Sequence, residues 1–202
     1  MSNQSFGKLI VITGKTASGK DTTKDALLEK FPHLKKVVTT TSRPPRDGET
    51  NGVDYHFVTR AEFEKKIESG EFAEYVEYGG NLYGTYRAEL KQALSQNTLW
   101  RIDPSRAGGL RDFLKRSFPP DIANELIKRI LVIYITVSDE VVLERLRERN
   151  LPSQEIAKRM ADDKKIWEQY KDNYDYIIEN VPGKLDEIVD KIINILQAHV
   201  LQ

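Results

Sequence analysis

Apolar residues in this chain fall into two kinds of run. Leu9–Ile12 and Ile130–Val137 are nearly unbroken and rich in β-branched residues, as strands buried on both faces are. Elsewhere the spacing is helical. Ala26 and Leu27 lie on one side of residues 22–31, Phe63 and Ile67 are four apart within 60–69, and Leu110, Phe113 and Leu114 share a face within 105–118. Helices are also predicted over 88–94, 139–149 and 152–173, with an amphipathic one over 185–200. Shorter strands are predicted over 37–41, 54–58, 98–102 and 176–178. Phe72–Tyr78 and Asn81–Tyr86 flank Gly79-Gly80, a hairpin signal. Prolines keep Ser42–Glu49 out of helix and central strand, and Pro119-Pro120 stops the run before it.

Strands alternating with helices predict an α/β fold, a mostly parallel sheet flanked by helices. The pattern changes to short strands and a hairpin over about 38–87, which reads as a small β-rich insert. The core is then 1–37, 88–138 and 172–202, leaving about 139–171 as a separate arginine-bearing region.

At 202 residues the chain suits one domain with small appended parts, and it shows no internal repeat. Thirty-one basic residues balance thirty-one acidic ones, which argues against binding nucleic acid or an anionic membrane through bulk charge. The absence of cysteine removes disulfides, zinc-thiolate sites and thiol nucleophiles. Neither a signal peptide nor a run of 18 apolar residues is visible, so a cytoplasmic protein is expected, with no obligate protein partner evident.

Candidate chemistry starts at the end of the first strand. Gly14 and Gly19 bracket four residues and precede Lys20, the P-loop spacing, between a predicted strand and a predicted helix. A tight turn could carry the same glycines. In a P-loop they let backbone N–H groups and the helix N-terminus converge on phosphate oxygens, with the lysine adding a mobile positive charge. Nucleotide would then sit at the carboxyl ends of the strands. Asp21 stands where the motif has the Ser or Thr whose hydroxyl touches Mg²⁺. That leaves two routes for the ion: Thr22 in part, or nucleotide phosphates and water.

The insert carries the more specific pattern. Ser42-Arg43-x-Pro-Arg46-x-Gly48-Glu49-x-x-Gly52-x-Asp54-Tyr55-x-Phe57, then Gly70-Glu71-Phe72-x-Glu74-Tyr75 and Asn81-x-Tyr83-Gly84-Thr85, resembles the GMP-binding region of guanylate kinases. The resemblance runs from about residue 8 to about 196. It implies a P-loop nucleoside monophosphate kinase fold with a GMP-binding insert and an arginine-bearing lid, transferring the γ-phosphoryl of ATP to GMP, and to dGMP as well, with Mg²⁺. ATP would bind Gly14, Lys15, Thr16, Ala17, Ser18, Gly19, Lys20, Asp21 and Thr22. The residues implied for GMP are Thr39, Arg43, Arg46, Tyr55, Glu74, Tyr83, Thr85 and Asp103. Arg43 and Arg46 are three apart on a proline-stiffened loop, and their planar forks suit one phosphate. By the same resemblance Tyr55 and Tyr83 would donate to that phosphate, and Glu74 would accept from guanine N1 and N2. Lys20, Arg43, Arg149 and Arg159 are the implied catalytic residues.

Three departures stand out. Arg149 and Arg159 are one residue closer than the family's lid arginines, which leaves Arg145 and Arg147 as alternatives or as solvated helix charges pairing with Glu144 and Glu148. Where the family has two aspartates flanking an aliphatic residue, this chain reads Arg101-Ile102-Asp103. Residues 111–129 are longer than the usual connection and read as an elaborated crossover. Two other functions stay open at this point: a kinase for another nucleoside or deoxynucleoside monophosphate, and an inactive guanylate-kinase-like module that binds a phosphorylated peptide.

Overall fold

A computed structural model describes residues 7–78 and 80–200. Along the chain run β1 (Leu9–Gly14), α1 (Lys20–Lys30), β2 (Lys35–Lys36), β3 (Thr40–Thr41), β4 (His56–Phe57), α2 (Arg60–Glu68), β5 (Phe72–Tyr78), β6 (Asn81–Tyr86) and α3 (Arg87–Lys91). Then come β7 (Thr98–Arg101), α4 (Pro104–Gly108), α5 (Leu110–Ser117), α6 (Pro120–Ile127), β8 (Ile130–Thr136), α7 (Asp139–Glu148), α8 (Ser153–Tyr170), β9 (Tyr176–Glu179) and α9 (Leu185–Val200).

The two unbroken apolar runs are the centre of the main sheet. Its order is β2-β7-β1-β8-β9, and all four pairings are parallel. Because side chains alternate across a strand, Leu9 and Val11 enter one core with Trp100, Leu110 and Leu114, while Ile10 and Ile12 enter the other with Leu27, Ile188 and Ile192. All of these are almost fully buried, each contributing about 1.5–3 kcal/mol of apolar transfer. Helices therefore cover both faces and leave the carboxyl ends of the strands open to carry a site.

A second sheet, β4-β3-β6-β5, is mostly antiparallel and has its own small core of Phe63, Phe72 and Leu82. Phe72 stacks between Phe63 and Tyr86, at centroid distances of 4.3 and 4.7 Å. Thr59 starts α2 with a capping box, exchanging hydrogen bonds with Glu62.

Several elements differ from the sequence expectation. Helix α1 begins at Lys20 rather than Thr22. Of the strand expected over 37–41 only Thr40–Thr41 forms one, β3 of the second sheet; β2 of the main sheet lies just before the expected range, and the chain leaves that sheet after Val37 N–H donates to Leu99 O at 2.8 Å. The strand expected over 54–58 contracts to β4, preceded by an isolated bridge between Asn51 and Tyr55. The helix expected over 105–118 breaks at Gly108-Gly109 into α4 and α5. A Cβ at Gly108 would stand 2.4 Å from the Tyr170 ring, so the close approach of α8 requires glycine there. The long connection contains a helix, α6, which packs beside α5. In the hairpin, Gly80 has φ 76°, while Gly79 lies outside the described residues.

Candidate active site

The loop after β1 is shaped by its glycines. Gly14 has φ 149°, and a Cβ there would come within 2.0 Å of Ile135 O on the neighbouring strand. Gly19 has φ 87° and leads into α1. Between them Lys15 N–H donates to Ile135 O at 3.0 Å, Ser18 N–H donates to Lys15 O at 3.1 Å, and Ala17 takes the left-handed conformation at φ 56°. The chain thus curls around the N-terminus of α1, the end of a helix that favours an anion, while Lys15 and Ser18 use their N–H groups within the protein.

The loop is braced from outside by parts of the chain far away in sequence. Thr16 N–H donates to buried Asp163 Oδ2 at 2.8 Å, Arg145 to Ala17 O at 2.7 Å, and Asn180 Nδ2 to Ser18 O at 2.6 Å. Lys15 Nζ donates to Val137 O at 3.1 Å and pairs with Asp139. Lys20 lies over the loop, its ammonium donating to Lys15 O at 2.8 Å. Burial pushes the Lys20 pKa down to about 8, and Arg101 adds to the shift while Asp21 and Asp163 oppose it.

Asp21 and Arg101, two departures that look independent in the sequence, meet here. Their side chains pair at 3.1 Å, across the first turn of α1 and the end of β7. Thr22 is exposed on that turn. Among the described residues no group of three or more His, Cys, Asp or Glu could hold a metal ion. The Asp21 carboxylate on that turn is already engaged by Arg101, which leaves phosphates and water as the ligands an Mg²⁺ ion would take there.

Beside Asp21 opens a cavity of ≈360 Å³ whose walls come from both sheets, including Asp21, Arg101 and Asp103 on one side and Thr39, Tyr55, Glu74, Tyr83 and Thr85 on the other. Arg43 stands over the rings of Tyr55 and Phe57, at 5.4 and 5.6 Å from their centroids. Glu49 grips both its terminal nitrogens, at 2.9 and 2.8 Å, and also accepts from Arg46 N–H at 2.7 Å. The Arg43 fork, together with that backbone bond, holds the Glu49 carboxyl down at about 2. Arg43 is consequently held in place before any ligand arrives. Arg46 is exposed, and the Tyr55 and Tyr83 rings meet edge-on at 6.2 Å.

At the other end the Glu74 side chain is only 9% exposed, and Thr85 donates to its Oε1 at 2.7 Å. Arg106 Nη1 lies 2.7 Å from Oε2. Burial pushes the Glu74 pKa up, opposed by Arg106 and Thr85. Asp103 N-caps α4, accepting from Arg106 N–H at 3.0 Å and from Ser105 Oγ at 2.6 Å.

The arginine-bearing region is only partly gathered at the loop. Arg145 touches it, and Arg149, exposed at the end of α7, is close enough to lower the Lys20 pKa. Arg147 is exposed on α7, and Arg159 is paired within its own helix to Glu155. Sequence reasoning missed Arg106, Asp163 and Asn180. Asp103-Pro104 does signal a helix start, but nothing local tells that the third residue after the aspartate reaches Glu74.

The sequence profile of the guanylate kinase family matches residues 6–199. A guanylate kinase of Symbiobacterium thermophilum is 35% identical over 180 residues, covering 89% of this chain and 81% of that protein. One from Fusobacterium nucleatum is 32% identical over 196 residues, covering 97% and 99%. The crystal structure of guanylate kinase from Anaplasma phagocytophilum superposes with a TM-score of 0.67 at 28% identity, covering 98% of this chain and 88% of that one.

Proposed function

The chain belongs to the guanylate kinase family, and from that premise we propose that it transfers the γ-phosphoryl group of ATP to GMP, giving ADP and GDP. The observation that carries this reading is the single cavity joining the first turn of α1 to the Tyr55, Tyr83, Thr85 and Glu74 side chains. A nucleoside monophosphate lying along it would present its phosphate to the loop and its base to Glu74.

In this arrangement the backbone of Gly14–Gly19 and the N-terminus of α1 cradle the ATP phosphates, and Lys20 leaves Lys15 O to reach the β- and γ-phosphates. Residues Lys15 to Thr22 form the rest of the cradle. Arg43, Arg46, Tyr55 and Tyr83 hold the phosphate of GMP, whose oxygen attacks the γ-phosphorus in line as the bond to the ADP oxygen breaks. Thr39, Glu74, Thr85 and Asp103 surround the base. Insert 38–87 is thus the GMP-holding part, and 139–171 the lid, on a core of 1–37, 88–138 and 172–202. Mg²⁺, held by phosphates and water, would neutralise charge on the transferring group. We place the reaction in the cytoplasm, with no partner required.

A coupled assay of ADP release over GMP, dGMP, AMP, CMP and UMP tests this reading. GMP and dGMP are expected to turn over and the other three hardly at all, with activity abolished by excess chelator. Turnover confined to another monophosphate, or none, would overturn it.

Alignment and charge neutralisation carry most of phosphoryl transfer, so the lid arginines should act chiefly in the closed complex. Arg149→Ala and Arg159→Ala are therefore expected to lower kcat by more than they raise KM for GMP. Arg145→Ala removes a brace on the loop at Ala17 and should also raise KM for ATP. Steady-state kinetics with each substrate varied in turn separates these cases. A larger kcat loss from Arg145→Ala or Arg147→Ala would move the catalytic role to those positions.

A further inference from the structure

Glu74 Oε2 is buried yet accepts no aligned hydrogen bond among the described residues, although Arg106 Nη1 stands 2.7 Å away. The guanidinium is near enough to attract the carboxylate but does not point an N–H at it. Its other approach, Nε to Asp103 Oδ2, is 3.9 Å and too long for a hydrogen bond. A buried acceptor without an aligned donor and a partly exposed guanidinium therefore stand side by side in the cavity. They come from opposite walls, Glu74 from β5 of the second sheet and Arg106 from α4 after the main-sheet strand β7.

Resting on the guanylate kinase reading above, we propose that Arg106 is a base-reading residue, donating to O6 of a 6-oxopurine while Glu74 accepts from the adjacent N1–H. The order of donor and acceptor matters. Guanine presents an acceptor at position 6 and a donor at N1, the complement of Arg106 beside Glu74. Adenine presents the reverse, an amino donor facing the guanidinium and a lone pair facing the carboxylate. Arg106 also keeps Glu74 and nearby Asp103 from repelling one another without a counter-charge, so a purely positioning role has to be separated from direct reading of O6.

Kinetics and equilibrium binding of GMP and 6-thio-GMP, measured on the wild type, Arg106→Met and Arg106→Lys, make that separation. Replacing oxygen by sulfur weakens the acceptor at position 6 and leaves N1–H and the 2-amino group in place. For wild type, 6-thio-GMP is expected to bind about 10-fold more weakly than GMP, the scale of one charge-assisted hydrogen bond. In Arg106→Met, GMP binding should fall by a similar factor with kcat changed little, and the difference between the two nucleotides should nearly vanish. Arg106→Lys, which keeps a cationic donor beside Glu74, should recover part of both. An undiminished sulfur penalty in Arg106→Met would overturn the proposal, since O6 would then be read elsewhere. Equal or tighter GMP binding by Arg106→Met would overturn it too, making Arg106 a plug that the base displaces. Wild type that neither binds nor phosphorylates GMP would overturn the function itself, a result distinct from both.

Discussion

Lys20→Met is expected to lower kcat by about 10²-fold or more while leaving the fold intact, the scale seen when a main electrostatic stabiliser of the transition state is removed. The fold should survive because the Lys20 ammonium donates to the loop at Lys15 O, whereas the loop is held by Asp163, Arg145 and Asn180 from outside. Removing a buried positive charge even relieves a desolvation cost. The same burial predicts a pH signature. With its pKa lowered to about 8, Lys20 loses its proton in the free enzyme as pH rises through that value, so kcat/KM for ATP should fall above it. Bound phosphates favour the ammonium, and kcat should persist to higher pH. Stopped assays across pH 6–10 on wild type and Lys20→Met check both statements. Near-native turnover by Lys20→Met would remove Lys20 from the reaction.

How much of this site is legible in the sequence depends on the range of the interaction. The phosphate loop is local: a buried strand, two glycines at fixed spacing and a helix start are all encoded within about a dozen residues, and the structure builds that unit with α1 starting two residues early. Most of the parallel sheet is legible for the same reason, since Leu9–Ile12 and Ile130–Val137 can satisfy their burial only at its centre. What escapes is side-chain pairing between distant segments. Asp21 and Arg101 each look like isolated departures, and only the sheet order, which sets β7 beside β1, shows that they neutralise one another. Strand boundaries in the insert fail differently. Val37 to Thr41 has uniform β character, so its pattern cannot reveal that the chain changes sheets in the middle.

Base selection should be the other large effect. Wild type is expected to prefer GMP over AMP by about 10⁴-fold in kcat/KM, because a site built around particular hydrogen bonds leaves its buried polar atoms unpaired when an analogue lacks them. Glu74 has the right environment for such a penalty, with its Oε2 buried, lacking an aligned donor, and facing a cavity also lined by Thr39 and Asp103. Adenine would offer that oxygen a lone pair. Glu74→Gln keeps the shape but removes the charge and puts a donor on part of the group, so the GMP-to-AMP ratio should narrow by about 10-fold or more, the value of one charge-assisted hydrogen bond. Acid provides a second handle on the same residue. Burial raises the Glu74 pKa above that of an exposed carboxylate, so KM for GMP should begin to climb at a higher pH than ordinary carboxylate titration would give, and Glu74→Gln should lose that dependence. Comparable kcat/KM for AMP and GMP in the wild type would refute guanine selection by this pocket, and an unchanged ratio in Glu74→Gln would move the selecting group to another wall of it.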